Sequence, residues 1–463
     1  MKAHETEGLI TELERLSVLV TDPVEVDGYE KTSADYLVPT AHRVSIKEDE
    51  LAPLIPMLRR IPWLTEYEGG IANDSPSGHK SIGLEAFAHW LLAQSRVRAA
   101  GSCLAALRDV LAENKSPLLE IVPIWGMAPT KSIDLGSGLN LVPIEELPPS
   151  RLKDLFTGTK RHRFSSDIAN SSPRPGAAVV KETIHGPIYE PASSHSAIES
   201  RKQGELTLRA FMASSQEERE GLMREIRAAN DTVKGARENP SISSEAEDMI
   251  RVVALLCPKP LFTLGQWYQR PDYLPLVGQV GGYSGPTNDH PFYIPIEKQE
   301  YPIEEIQALA TAYRLLPVAT RNRLKTPLAR LNQGRRQLAH HTIEAAAIDL
   351  GIAAEALLTQ DRDKDAPISY LLRTRGTLLL GGSPEERREH YRRLRDLYNL
   401  RSTVAHEGQI VDHAAAPRSA KTRTRLVEAR ETLTQAETLC GRMIQLVIAR
   451  GEFPVWDDLA LGL

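Results

Sequence analysis

The chain has 463 residues, 25% of them charged and 41% hydrophobic, with a formal net charge of −5. A single core rarely grows past about 250–300 residues, so this length implies two or three domains. Three widely spaced cysteines (Cys103, Cys257 and Cys440) with no CxxC pair exclude a disulfide framework and a thiolate zinc site, and fit a reducing compartment.

The N-terminus, MKAHETEGLI, carries acids where a signal peptide needs a basic and then an apolar stretch. No run reaches the ~18–20 apolar residues of a membrane helix. A cytoplasmic protein without a membrane partner is therefore expected. The charge is unevenly spread: residues 301–463 hold 24 Lys+Arg against 20 Asp+Glu, a balance of +4, and the remainder carries −9. An acidic front joins a mildly basic back.

In chain order, residues 1–298 mix helical periodicity with strand-like pieces, which predicts a mixed α+β N-terminal region. Lys80–Asn114 has apolar residues at helical spacing and reads as one or two amphipathic helices. LEIVPIWGM follows as a strand-like run. In SIDLGSGLNLVPI two apolar runs flank Gly136-Ser137-Gly138, the pattern of a hairpin. Gly158–Gly176 is polar and rich in Ser and Pro, the composition of a loop or linker. Glu205–Cys257 returns to helical periodicity. The irregular stretch Pro271–Pro295 marks a domain boundary.

Beyond it, helices are expected at Ile303–Leu316, Leu324–Leu358, Pro384–His406 and Thr422–Ala449. Residues 299–463 thus read as an all-α antiparallel bundle of about four or five helices. Ser383-Pro384-Glu385-Glu386 is a helix start with a capping hydroxyl, a proline in the first turn and acids at the positive end of the dipole. Gly408 is the matching stop.

Three motifs fail on inspection. Asp361-Arg362-Asp363-Lys364-Asp365 has calcium-loop spacing, but Ala366 stands in place of the turn glycine and Leu372 in place of the bidentate acid. The glycines at 278, 281, 282 and 285 have no following Lys-Ser/Thr and read as a surface turn. Lys160-Arg161-His162-Arg163 is too short a basic run to stand apart from a solvated loop. No metal or cofactor is expected.

What remains is LYNLRSTVAHEG at 397–408. On a helix, Leu394, Leu397, Tyr398, Val404 and Ala405 form an apolar stripe with Arg401 in its middle. A guanidinium there must be paired, lie at an interface, or face a polar cavity. Ser402 and His406 are one turn apart, and the helix C-terminus favours imidazolium at His406. An Arg beside a His suits metal-free cleavage of RNA, with His moving protons and Arg stabilising phosphoryl charge. The bare spacing is not specific, because Arg335/His340 and Arg336/His341 share it. Taken alone, Arg401 and His406 fit a packing or capping pair equally well.

The wider pattern is more specific. Asp349 and Glu355-Ala356-Leu357-Leu358, then Tyr370-Leu371-Leu372-Arg373 with Arg375, the Glu385–Arg388 helix start and LYNLRSTVAHEG together resemble the Apea-like branch of the HEPN superfamily. The resemblance covers residues from about 302 to 449. It implies an all-α HEPN-type bundle, a metal-independent endoribonuclease activity and a homodimer whose two Arg–His motifs share one cleft. It makes Arg401 and His406 the catalytic pair, with Ser402 and Glu355 supporting the site; Glu355 equally fits a structural pairing with Arg373 or Arg375. Arg335, Arg336, His340 and His341 are candidate contacts for RNA phosphate. Two positions depart from the family pattern: Glu407 intervenes between the His and the glycine, and Ser402 follows the Arg. The implied setting is antiphage defence, abortive infection or a regulated toxin, with residues 1–298 sensing a phage-derived or other trigger. The alternative is a catalytically inactive HEPN module that binds RNA or protein and dimerises.

Overall fold

The computed structural model describes residues 3–20, 46–148, 175–194, 244–269, 279–282, 300–360, 366–410 and 420–462, isolated positions within them apart, together with 153 and scattered positions in 198–225. The motifs Lys160–Arg163 and Asp361–Asp365 and most of the two irregular stretches lie outside the described residues.

The front begins with α1 (Ala3–Ser17) and the short helices α2 (Glu48–Leu51), α3 (Leu54–Leu58) and α4 (Pro62–Thr65). The hairpin β1 (Ile71–Ser75) and β2 (Gly78–Ser81) comes next, followed by α5 (Leu84–Ser95) and α6 (Ala100–Glu113). The periodicity of Lys80–Asn114 therefore resolves into two helices. These elements close on their own core, in which Leu13, Leu54, Phe87, Trp90 and Leu107 are buried. Asn114 caps α6 in the left-handed conformation (φ 51°). Its side-chain oxygen accepts from the backbone N–H groups of Ile188 (2.8 Å) and Tyr189 (2.7 Å). Those two residues return to the front core from much later in the chain, and β7 (Tyr189–Glu190) pairs with β1.

The second unit is built on β3 (Ser116–Ile124), β4 (Ile133–Gly136), β5 (Leu139–Pro143), β6 (Ala177–His185), β8 (Gln266–Gln269) and β9 (Gln279–Gly282). They form one antiparallel sheet in the order β4-β5-β6-β3-β8-β9. The expected hairpin is β4–β5. The glycines at 281 and 282, read from sequence as a surface turn, instead belong to β9 and pair with Trp267 and Gln266. Alternation along the strands gives the sheet two different faces. Val122, Ile124, Leu139, Leu141, Ala177 and Val179 turn towards the helices. Ile121, Ala178 and Trp267 turn the other way into a smaller cluster with Ile144 and Leu147.

The helices on the first face are α7 (Ser244–Ala254), α8 (Ile303–Leu315), α9 (Val318–Ala339), α10 (Ile343–Leu358), α11 (Ile368–Leu380), α12 (Pro384–Glu407), α13 (Ala420–Arg450) and α14 (Trp456–Leu461). An α+β front followed by an all-α back is thus observed. The run expected as one helix over 324–358 is broken at His340-His341-Thr342, where His341 takes a left-handed turn (φ 59°). The α12 start is a complete capping box: Glu386 N–H donates to Ser383 Oγ and Ser383 N–H to Glu386 Oε2 (2.7 Å). At 31 residues α13 is the longest described helix, and it packs against each of α8 to α12. Sheet and bundle share one continuous apolar core, from Val122 through Leu261 to Ile306, Leu350, Leu397 and Trp456. This core crosses the boundary expected at 298/299, with α7 contributing from before it.

Candidate functional site

Three helices position the candidate site. Helix α12 carries Arg401, Ser402 and His406; α10 carries Glu355 and Gly351; the α9–α10 turn and α13 close one end. Leu394 and Leu397 are buried and Val404 nearly so, so α12 is seated by the stripe the spacing predicts. Ala405, expected on that stripe, is exposed, because the helix turns its last residues away from the core.

Arg401 lies within the stripe and is only partly open to solvent. Its Nη2 donates to Glu355 Oε2 at 3.2 Å, with the two side chains 29% and 17% exposed. Arg401 Nε is buried and has no acceptor among the described residues. A sealed donor without a partner costs ~1–3 kcal/mol, so the pairing with Glu355 compensates the guanidinium only in part. The close approach of α10 and α12 depends on Gly351: a side chain there would meet the Cβ of Arg401 at 2.9 Å and its Cγ closer still. The Arg401 stem crosses α10 at the one residue that has no side chain.

His406 is exposed in the last turn of α12, and Gly408 (φ 75°) ends the helix by donating to Val404 O at 2.8 Å. Five helical residues separate Arg401 from His406 by ~7.5 Å along the axis and ~140° around it. They leave α12 on different faces, and no hydrogen bond joins them. Ser402 is half-buried beside Arg401. Just beyond the helix, Ile410 N–H donates to Glu344 Oε1 at 3.5 Å, which ties this end of α12 to the first turn of α10.

The other sequence candidates divide. Arg335 is buried, at 9% exposure, and each of its nitrogens is engaged. Nε pairs with Glu437 at 2.7 Å, Nη2 donates to Cys257 O at 2.6 Å, and Nη1 donates to Ala254 O. The expectation that it contacts RNA phosphate is corrected: it binds the C-terminal end of α7 to the bundle. Arg336 Nε donates to Leu261 O at 2.9 Å and its guanidinium lies 5.0 Å from the Phe262 ring centre. His340 meets the same ring edge-on at 5.7 Å. These two also face the junction between sheet and bundle. Of the alternative partners considered for Glu355, Arg373 donates to Ser369 O at 2.8 Å and lies over Tyr391, and Arg375 donates to Leu358 O at 2.8 Å.

Only His341 of that set turns outward. With Ile343, Glu344, Arg423, Leu426, Val427 and Arg430 it lines an open groove of about 360 Å³ between the α9–α10 turn and α13. Sequence reasoning missed Gly351, Arg423 and Arg430. A glycine inside an otherwise apolar helix costs about 1 kcal/mol relative to alanine, and that was the available signal of a close approach.

Among the described residues no group of three or more His, Cys, Asp or Glu is placed to hold a metal ion, and no helix is long and apolar enough to cross a membrane. Compared with protein-family models, with curated proteins and with solved structures, the chain matches none.

Proposed function

We propose that the helical back of the protein is a HEPN-type endoribonuclease that cleaves RNA without a metal, with Arg401 and His406 as the reacting pair. The observation that carries this reading is the state of Arg401: a guanidinium on an apolar stripe, held by Glu355 on one side and with its side chain still 29% open to solvent. Such a group is compensated incompletely within one chain, which suits an arginine that meets an anion or a second copy. His406, exposed near the end of the same helix, is free to approach a substrate.

In this reading the 2′-hydroxyl of one nucleotide attacks the adjacent phosphorus and the bond to the 5′-oxygen breaks. The products are a 2′,3′-cyclic phosphate and a 5′-hydroxyl. His406 moves the proton to or from the entering or leaving oxygen, and Arg401 balances charge on the phosphoryl oxygens. Because the two side chains leave α12 on different faces, a cleft shared by two α12 helices in a homodimer is the arrangement that brings them to one phosphate. Defence against phage or regulated toxicity, triggered through the α+β front, is the proposed setting.

The test is RNA cleavage in EDTA by full-length protein, Arg401→Ala and His406→Ala. Loss of ~10²-fold or more in each variant, with cyclic-phosphate ends in the wild-type products, is the expected result. Cleavage that survives His406→Ala overturns the assignment. A second reading has its own support, since Glu355 neutralises Arg401 where a nuclease would need its charge. In that case the bundle is a silent RNA- or protein-binding dimerisation module. Wild-type protein that binds RNA and never cuts it selects this reading.

A further inference from the structure

The groove between the α9–α10 turn and α13 is distinct from the Arg401–Glu355 pair, and its chemistry points to a ligand. Arg430 Nη1 lies 2.9 Å from His341 Nδ1. A guanidinium has only donors, so it donates and the imidazole Nδ1 accepts, which leaves Nε2–H of His341 as a further donor. Neither side chain has an acidic partner among the described residues, and Arg423 on the same wall has none either. Glu344 also lines the groove, but its carboxylate is turned to the backbone N–H of Ile410. Two permanent positive charges therefore face one negative one, with an imidazole donor between them. Ile343, Leu426 and Val427 complete the wall, and Val427 is 62% exposed.

Backbone hydrogen bonds hold the turn that carries His341. His341 N–H donates to Leu338 O at 3.2 Å and Thr342 N–H to Gln337 O at 2.9 Å. These bonds close the end of α9 and set the left-handed residue that sends the imidazole towards α13. Arg423 and Arg430 are seven residues apart on α13, two helical turns on one face, about 10 Å along the axis. That spacing lets both reach one tetrahedral anion or two successive phosphates of a strand.

We propose that this groove binds the phosphoryl oxygens of a phosphate ester, with Arg423, Arg430 and His341 as donors. Its place beside the end of α12, fastened there by Glu344 and Ile410, makes the source the backbone of the RNA strand running from the His406 end of the bundle. That choice of source rests on the ribonuclease reading; the anion chemistry does not.

Binding is measured apart from cleavage with a fluorescent single-stranded 2′-O-methyl RNA, which has no nucleophilic hydroxyl, and separately with inorganic phosphate by calorimetry. The proteins are the full chain, Arg423→Ala/Arg430→Ala and the single charge reversal Arg423→Glu. All these positions are exposed, and circular dichroism checks each fold. The expected result is about tenfold or more weaker RNA binding by the double variant. The slope of log affinity against log salt should flatten by about 1.4, two contacts at about 0.7 each. Loss of phosphate binding with RNA binding unchanged also supports the groove and assigns it to a free phosphate ester. Equal binding of both probes by wild type and variants, or binding of neither, overturns the proposal. Absence of cleavage by wild type defeats the nuclease reading but leaves these binding measurements intact, so the two failures are distinguishable.

Discussion

The stem of Arg401 occupies the space that Gly351 leaves by having no side chain. Helices α10 and α12 touch there through a glycine and an arginine. The arginine is thereby held flat across α10, with its guanidinium directed to Glu355 one turn further on.

Gly351→Ala should therefore destabilise the protein even though alanine is the better helix former. The propensity gain is about 1 kcal/mol, and overpacking against Arg401 Cβ and Cγ costs ~1–3 kcal/mol. Urea denaturation should show a lower midpoint for the variant. The loss should shrink in an Arg401→Ala background, where only the Cβ contact remains; equal losses in both backgrounds would show that the two residues are not coupled.

Arg335 makes a contrasting prediction. Its replacement by alanine strands Glu437 and the carbonyls of Ala254 and Cys257 in a closed junction, so a loss of ~3–5 kcal/mol in stability is expected. Denaturant titration measures this directly. A variant of wild-type stability with weakened RNA binding would restore Arg335 to the ligand-binding set.

Burial pushes the thiols of Cys257 and Cys440 up to about 12 and raises that of Cys103. The folded protein thus favours the protonated thiol. The associated stability is complete below the unfolded value of about 8.5 and is lost as pH rises from there towards the folded values. At pH 8 a thiol reagent should leave the native protein unlabelled and modify all three cysteines once urea is added. Rapid labelling of native protein would contradict the burial.

Acid should act through His390, which is buried on the inner face of α12. Desolvation, with Arg442 beside it, holds its imidazole below the ordinary value. A depressed histidine contributes stability that is complete above the unfolded value of about 6.5 and is lost as pH falls through it towards the lower folded value. Comparing urea midpoints at pH 7.5 and pH 5.0 should show a smaller drop for His390→Leu than for wild type.

Local chemistry made much of the back half legible. Ser383, Pro384 and Glu386 build the cap they imply, Gly408 ends α12, and the apolar stripe at 394, 397 and 404 seats it. The pairing of β4 with β5 was readable because Gly136 and Gly138 supply the positive φ a tight hairpin needs. The break at His341 was hidden, since a histidine is not a helix stop and the left-handed turn is fixed by bonds to Gln337 and Leu338. The fate of Arg335 was equally hidden: its partners lie 78 and 81 residues away in α7 and just beyond it. An arginine on a helix is solvated by default, and only tertiary packing reveals that it is enclosed.

The cores of this protein are interleaved along the chain. The front core is left at Asn114, the sheet is laid down through β6, and the chain then returns to place Ile188 and Tyr189 in the front before departing again for α7. No single cut separates the two units, and a fragment beginning at residue 299 would inherit an incomplete core. Shuffling of this bundle between proteins would therefore have to carry the sheet with it. The natural module of exchange is the sheet and bundle together, joined to its front by three crossings of the chain.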